Sequence, residues 1–268
     1  MGQGITKGEN DMEKLITRCK IEWLEQEGYK GYAINPFIGC GYGCYGGRCW
    51  AYLAARRQGR VENWDEWQRP RIAPKFQGIP IAATIQREVL RLPRNARVLL
   101  SATSDPFQFN FFGYESIIEQ ILRGFSYASN HPELWVLTKS GVGITPFKNW
   151  LQDCDATIGV TITSVQRTEW EPNAVSPSLR WLALDAAKKL GLRTYISIEP
   201  WIPEVTDPKA IIERTREFTD FYILGSFNYA GVDNNYYKEH LPPLLEWLDT
   251  LENIHYFLKK ELLVKVES

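Results

Sequence analysis

Three cysteines stand within ten residues in the segment Asn35-Pro-Phe-Ile-Gly-Cys40-Gly-Tyr-Gly-Cys44-Tyr-Gly-Gly-Arg-Cys49-Trp50. Thiolates are soft donors that suit zinc or iron–sulfur chemistry. Glycines 39, 41, 43, 46 and 47 let the chain fold tightly, turn sulfurs inward and keep N–H groups free to bond them. A structural zinc ion closes a shell of four ligands. No fourth Cys or His is near: Cys19 lies well upstream, and His131, His240 and His255 are remote and read as surface residues. Three clustered thiolates would leave one metal of a four-iron cluster without a protein ligand, open to a substrate or cofactor. Three other readings stand beside that one: zinc held by three Cys and a distant ligand, inert buried cysteines, and a redox dithiol, which lacks a close CxxC. Cys19 and Cys154 read as bystanders.

The elements that must position this loop come from a chain of 268 residues and 30.9 kDa, enough for one large domain or two small ones. Hydrophobic residues make up 44% of it, which supplies a core and excludes a disordered or collagen-like chain. The five Cys are an odd number and bunched, which argues against a disulfide framework and for a reducing compartment. No run of about 18 apolar residues suggests a membrane span. The polar start MGQGITKGENDMEK lacks the apolar core of a secretory signal, so a cytoplasmic location is expected. A formal net charge of −1 argues against a sequence-neutral DNA binder and confines any nucleic-acid contact to a local patch.

Residues 1–30 read as a polar tail followed by a helix from Asp11 to about Glu27, with Leu15, Ile16, Ile21 and Leu24 near helical spacing. Residues 31–268 read as a single domain of alternating strands and helices. Extended runs are expected at Tyr32–Ile38, Arg97–Ser101, Leu134–Thr138, Thr157–Thr163, Thr194–Ile198, Phe221–Leu224 and Ile254–Leu258. Helices are expected at Cys49–Arg57, Ile79–Leu92, Glu115–Ala128, Ile144–Leu151, Ser178–Leu190, Lys209–Phe218 and Leu244–Leu251. The helix at 178–190 is expected to turn Leu179, Leu182, Ala186 and Leu190 inward, with Gly191 as its C-cap. Short apolar strands separated by helices make a parallel sheet with crossovers, an α/β fold in open or barrel form. Polar residues follow several strands: Ser101 to Asp105, Thr138 to Ser140, Thr163-Ser164, Glu199 and Gly225 to Asn228. Parallel α/β folds build their sites at the carboxyl ends of strands, so these groups share one rim.

Taken in order, these segments resemble the spore photoproduct lyase-like branch of the radical S-adenosylmethionine (SAM) enzymes, over roughly residues 31–226. The branch opens on INPYxGCxxGC, here Ile34-Asn-Pro-Phe-Ile-Gly-Cys40 and Gly43-Cys44. Its TDPYQ is Ser104-Asp105-Pro-Phe-Gln108, and its TKS is Thr138-Lys139-Ser140. Its fourth strand corresponds to Val160 to Ser164, and its EPxAxSPxxRL element to Glu171 through Arg180. The segments Ser197–Pro200, Ile223–Gly225 and Phe257–Lys260 also resemble a phage-associated radical SAM-like family. Two departures stand out. The family spacing CxxxCxxC is lengthened to CxxxCxxxxC, with Arg48 before the third Cys and Tyr45 or Trp50 left to supply the usual aromatic. No Cys occupies the strand end at Ala102 to Asp105 where true lyases carry a hydrogen donor, so the resemblance does not extend to thymine-dimer repair.

The resemblance implies a partial (β/α)6-type barrel and a [4Fe–4S] cluster on Cys40, Cys44 and Cys49. It also implies SAM on the open iron, cleaved by one electron from a reductant to a 5′-deoxyadenosyl radical that takes hydrogen from a substrate. By position, Lys139 is expected at the SAM carboxylate and Ser104 and Asp105 at its amino group or ribose. Thr163, Ser164, Ser197 and Glu199 are expected at the ribose hydroxyls. Between Arg48 and Lys75, seven basic residues outnumber Glu62, Asp65 and Glu66 and are interleaved with Trp64 and Trp67. That pattern weakly favours a nucleic-acid substrate. The competing class is a non-catalytic zinc or Fe–S module that recognises nucleic acid or a partner protein.

Overall fold

A computed structural model of the protein describes residues 14–108, 113–129 and 132–267. His131, read above as a surface residue, and the start of the tail lie outside them. The strands are β1 Ile16–Arg18, β2 Lys30–Ile34, β3 Phe37–Ile38, β4 Arg71–Ile72, β5 Ala96–Leu100, β6 Glu133–Thr138, β7 Thr157–Thr161, β8 Thr194–Trp201, β9 Phe221–Ser226 and β10 Tyr256–Leu258. The helices are α1 Trp50–Arg57, α2 Trp64–Trp67, α3 Ile81–Val89, α4 Tyr114–Ser126, α5 Lys148–Asp153, α6 Pro177–Lys189, α7 Pro208–Thr215, α8 Asn234–Asp249 and α9 Lys260–Glu267.

Eight strands form one sheet in the order β1-β2-β5-β6-β7-β8-β9-β10. Only β1 runs antiparallel, and β3 pairs with β4 in a separate ribbon. Successive side chains on a strand alternate between faces. Val98, Leu100, Val136, Ile158, Val160, Ile196 and Leu224 lie on the outer face, in the large core beneath α3, α4, α6 and α8. Their neighbours Leu99, Trp135, Tyr195 and Ile223 meet on the other face, around Trp23 and Leu24. Residues of four strands can share one cluster only if the sheet curls, and β1 and β10 remain its two edges. The α/β partial barrel expected from the sequence is the fold observed.

The helix expected over residues 11–27 does not form within the described residues. Ile16 to Arg18 pair with Tyr32 to Ile34, and the N–H groups of Leu15 and Ile16 donate to the Glu88 carboxylate at 3.1 and 2.8 Å. Two 3-10 turns follow, at Glu22–Leu24 and Gln26–Gly28, and the first drives Trp23 into the mouth of the barrel. Its ring lies 5.5 Å from Trp135 and 5.6 Å from Tyr195. Apolar spacing that read as one helix face is therefore divided between a strand and a plug.

Helix α6 is rotated relative to the expectation. It buries Arg180, Ala183, Leu184 and Ala187, whereas Leu179 and Leu182 are 43% and 57% exposed. Burying Arg180 against Glu171 and the Thr161 carbonyl fixes that rotation. The helix expected over Leu244–Leu251 starts earlier, as α8 begins at Asn234 with Asp233 as its cap and runs through Pro242 and Pro243. Helix α9 was not anticipated.

The ring of Tyr195 lies across Gly159, so a Cβ there would sit 2.1 Å from the Tyr195 Cζ. Gly159→Ala is expected to cost about 1–3 kcal/mol through overpacking, seen as a lower midpoint in urea. An unchanged midpoint would contradict this packing.

Candidate metal centre

The cysteine loop leaves the carboxyl end of β2. At Gly39 φ is +93°, and a Cβ would strike the Trp67 carbonyl oxygen at 2.6 Å, so only glycine fits. The loop is clamped from the segment after β5. Gly41 N–H donates to Gln108 Oε1 at 2.9 Å, the Tyr42 hydroxyl donates to the Phe107 carbonyl at 2.9 Å, and Gln108 Nε2 donates to the Asp105 carbonyl at 2.9 Å.

The lengthened Cys44–Cys49 step is absorbed by three consecutive left-handed residues, Tyr45, Gly46 and Gly47, with φ of 65°, 54° and 83°. The two glycines face open space, and Arg48 N–H closes the turn on the Tyr45 carbonyl at 3.0 Å. The extra residues thus loop outward and Tyr45 turns inward. Cys49 then serves as the residue before α1.

Cys44 is buried, and Cys40 and Cys49 are half-buried. All three pack against one apolar group containing Tyr42, Tyr45, Ala174, Ile202 and Phe227. Burial pushes the Cys40 thiol up to about 12, reinforced by the Asp105 charge and opposed by N–H donors from Tyr42 and Asp105. Burial also holds the Cys44 thiol well above its ordinary value, and Lys139 is the main opposing charge.

Among the described residues, no three His, Cys, Asp or Glu side chains converge as a single metal ion requires. Zinc needs that convergence on one point. A four-iron cluster draws each thiolate to a different iron, so its cysteines stand apart. Three soft thiols in an apolar wall, with N–H donors to sulfur and an ammonium beside them, fit that donor chemistry.

The polar groups on the rim divide into two sets. Lys139 and Thr163 come together with the cysteine loop. The Lys139 ammonium lies 5.0 Å over the Tyr45 ring and 3.6 Å from Glu171 Oε1. Thr163 Oγ1 donates to the same Glu171 oxygen at 3.2 Å, and the Tyr45 hydroxyl donates to it at 2.9 Å. Arg180 Nη2 holds the other oxygen at 2.5 Å. Burial pushes the Glu171 carboxyl up, but Arg180 and Lys139 outweigh it and hold it below its usual range.

The remaining predicted residues stand apart from that set. Asp105 accepts from Thr138 Oγ1 at 2.7 Å, Lys139 N–H at 2.6 Å and Phe107 N–H at 2.9 Å, so both oxygens bind the protein itself. Burial holds its carboxyl above the usual value. Ser104 shares a hydrogen bond with Ser101 at 2.7 Å, and Ser164 Oγ accepts from Gln166 N–H at 3.1 Å. Ser197 is buried on β8, on the face that carries Tyr195. Glu199 pairs with Lys259 at 2.6 Å, over Gly225.

Gln108, Glu171, Arg180 and Lys259 are not singled out by the sequence as functional groups, although all four lie inside its motifs. In the basic segment, Trp67 is buried and Trp64 packs edge-on against Tyr52 at 5.0 Å, so these rings are not free to stack on a ligand as the sequence suggested. Trp50 in that segment and Tyr229 outside it are 48% and 47% exposed, and Arg57 lies over Tyr229 at 6.0 Å. Arg48 lies over Trp170 at 5.7 Å.

With this geometry the fold is that of a partial barrel with a clamped three-cysteine loop at its carboxyl rim. No protein-family model matches the chain. An uncharacterized protein of Methanocaldococcus jannaschii is 25% identical over 219 residues, covering 79% of this chain and 76% of that one. The structure of spore photoproduct lyase complexed with dinucleoside spore photoproduct has a TM-score of 0.62 at 13% identity, over 87% of this chain and 78% of the lyase. A double mutant of that lyase, with bound AdoMet and the dinucleoside spore photoproduct, gives 0.51 at 15% identity, over 100% of this chain and 71% of the mutant. The likeness to these two structures is one of fold.

Gln108→Ala would strip the Gly41 N–H of its buried partner. It is expected to cost about 1–3 kcal/mol, measured by urea denaturation of the metal-free protein. No loss would mean that the loop is not held from β5.

Proposed function

We propose that the protein is a radical SAM enzyme whose Cys40, Cys44 and Cys49 hold a [4Fe–4S] cluster with one iron left open. The observation that carries this reading is the set of three thiols on one glycine-rich loop at the carboxyl rim of a parallel barrel, with the Lys139 ammonium beside Cys44. When bound, that cluster would supply the electron, drawn from an external reductant, for reductive cleavage of SAM.

The chain's own residues supply the rest. Tyr42, Tyr45, Ala174 and Phe227 wall the thiols from water. The N–H groups of Tyr42 and Asp105 stabilise charge on the Cys40 sulfur. Lys139 has only a loose ion pair with Glu171, whereas Arg180 binds that carboxylate closely, so the ammonium can turn to a second carboxylate, that of SAM. Asp105 holds the Lys139 backbone in place instead of meeting the cofactor directly. Five free cysteines suit a reducing, cytoplasmic setting.

The substrate class we favour is nucleic acid. Support comes from the exposed Trp50 and Tyr229, the arginines 48 and 57 beside them, and the dinucleoside bound to the lyases of like fold. Exposed aromatics beside arginines can stack bases and track phosphates.

Anaerobic reconstitution with iron and sulfide tests the first claim. A brown protein that forms 5′-deoxyadenosine from SAM after reduction is expected, with Cys44→Ala losing that activity. A colourless protein that retains one tight zinc ion would refute it. For the substrate, Trp50→Ala should weaken binding of a single-stranded oligonucleotide by about 1–3 kcal/mol in a fluorescence titration. Binding unchanged by the substitution and by added salt would remove the nucleic-acid reading.

A further inference from the structure

The element Glu171 through Arg180 enters the function argued so far only as wall and counter-charge, yet its first residue is the most heavily shared group in the site. Glu171 lies in the loop between β7 and α6, with its side chain 5% exposed. One carboxylate oxygen is taken by Arg180 at 2.5 Å. The other faces three elements at once: the Tyr45 hydroxyl at 2.9 Å from the cysteine turn, Thr163 at 3.2 Å from the end of β7, and Lys139 at 3.6 Å from the end of β6.

Arg180 is itself fixed. Its Nε donates to the Val175 carbonyl at 2.7 Å and its Nη1 to the Thr161 carbonyl at 2.8 Å. The carboxylate is therefore anchored to the barrel on one side and tethers the glycine-rich turn of the loop on the other. That part is the run Tyr45-Gly46-Gly47, at whose glycines an added Cβ would meet only open space. Besides the phenol, Tyr45 is held by its N–H on the Trp170 carbonyl at 2.7 Å and by the Phe227 ring at 5.6 Å.

We infer that Glu171 is the positioning residue of the centre. It pins the inserted Cys44–Cys49 turn through Tyr45, attracts the Lys139 ammonium at 3.6 Å without fixing it, and sets one fixed negative charge beside the thiols. The inference rests on the cluster reading only for its effect on the metal centre; the tether is independent of it. The lengthened spacing gives it a purpose. Two extra residues enlarge the turn, and a longer glycine-rich turn needs an added contact to hold its cysteine in place.

Two variants separate the tether from the charge. Glu171→Gln removes both the carboxylate charge and the strong acceptor. Tyr45→Phe removes only the phenol that the carboxylate holds. In the metal-free protein, both should raise trypsin cleavage after Arg48 by about fivefold, the effect of losing one buried hydrogen bond on local opening. Cleavage after Arg56 and Arg57 serves as the internal control.

In the reconstituted protein, an EPR-monitored redox titration should show a more positive cluster potential in Glu171→Gln and an unchanged one in Tyr45→Phe. Loss of a nearby negative charge favours the reduced cluster, and loss of a neutral hydroxyl does not. Unchanged cleavage in both variants would overturn the tether. An unchanged potential in an iron-loaded Glu171→Gln protein would overturn the electrostatic role. A parent protein that takes up no iron would refute the cluster reading instead, and the cleavage assay alone would then decide the tether. Should Glu171→Gln fail to fold, Tyr45→Phe carries the cleavage test.

Discussion

A curled parallel sheet must bury both of its faces, and the architecture of this protein follows from that constraint. The outer face is covered by helices in the usual way. The inner face has to be filled from within, and here the filling is aromatic: Trp23 from the N-terminal turn, with Trp135, Tyr195 and Phe221. Tyr195 stacks on Phe221 at 5.0 Å and extends over Gly159, where no side chain intervenes. With the amino end of the barrel filled, polar side chains can gather at the carboxyl end. The cysteine loop, Lys139, Thr163 and Glu199 all lie there, because the strands that carry them run in the same direction.

At that rim two buried carboxylates behave in opposite ways. Asp105 accepts hydrogen bonds only from neutral donors, two backbone N–H groups and a threonine hydroxyl, the Lys139 charge is a lesser influence, and burial wins, raising its carboxyl. Glu171 faces two cations, and they outweigh the same burial, keeping it charged. The difference separates their roles. Asp105 is a brace that joins the ends of β5 and β6 and, through its carbonyl and Gln108, reaches the cysteine loop. Glu171 is a source of fixed charge. It balances Arg180, and its hold on Lys139 is loose enough to leave an ammonium directed at the thiols.

The barrel was legible because its strands are short apolar runs with polar residues directly after them, and alternation along a strand is a local property. The first thirty residues and the rotation of α6 were not legible. Leu15, Ile16 and Leu24 have helical spacing, but Ile16 gains a strand partner in Ile34 and Leu24 gains the barrel interior, neither of which is visible locally. On α6 the pattern of leucines pointed one way, and the buried Arg180 turned the helix the other, since a buried guanidinium must face its carboxylate. The site shows the same limit. Motif spacing marked Ser104, Asp105, Lys139 and Thr163, but not which of them would be consumed by the protein's own hydrogen bonds. Gln108 and Glu171 were inside quoted motifs and carry contacts that only the folded chain reveals. How the longer Cys44–Cys49 step would be accommodated was equally hidden, since it depends on three successive left-handed residues.

The central claim is that these three cysteines ligate three irons of a cluster and leave the fourth open. Mössbauer spectroscopy of protein reconstituted with iron-57, recorded with and without SAM, tests it most directly. The expected result is a four-iron cluster in which one iron site changes its isomer shift and quadrupole splitting on SAM addition while the other three keep theirs. A spectrum without a four-iron cluster, or one in which SAM leaves all iron sites unchanged, would contradict it.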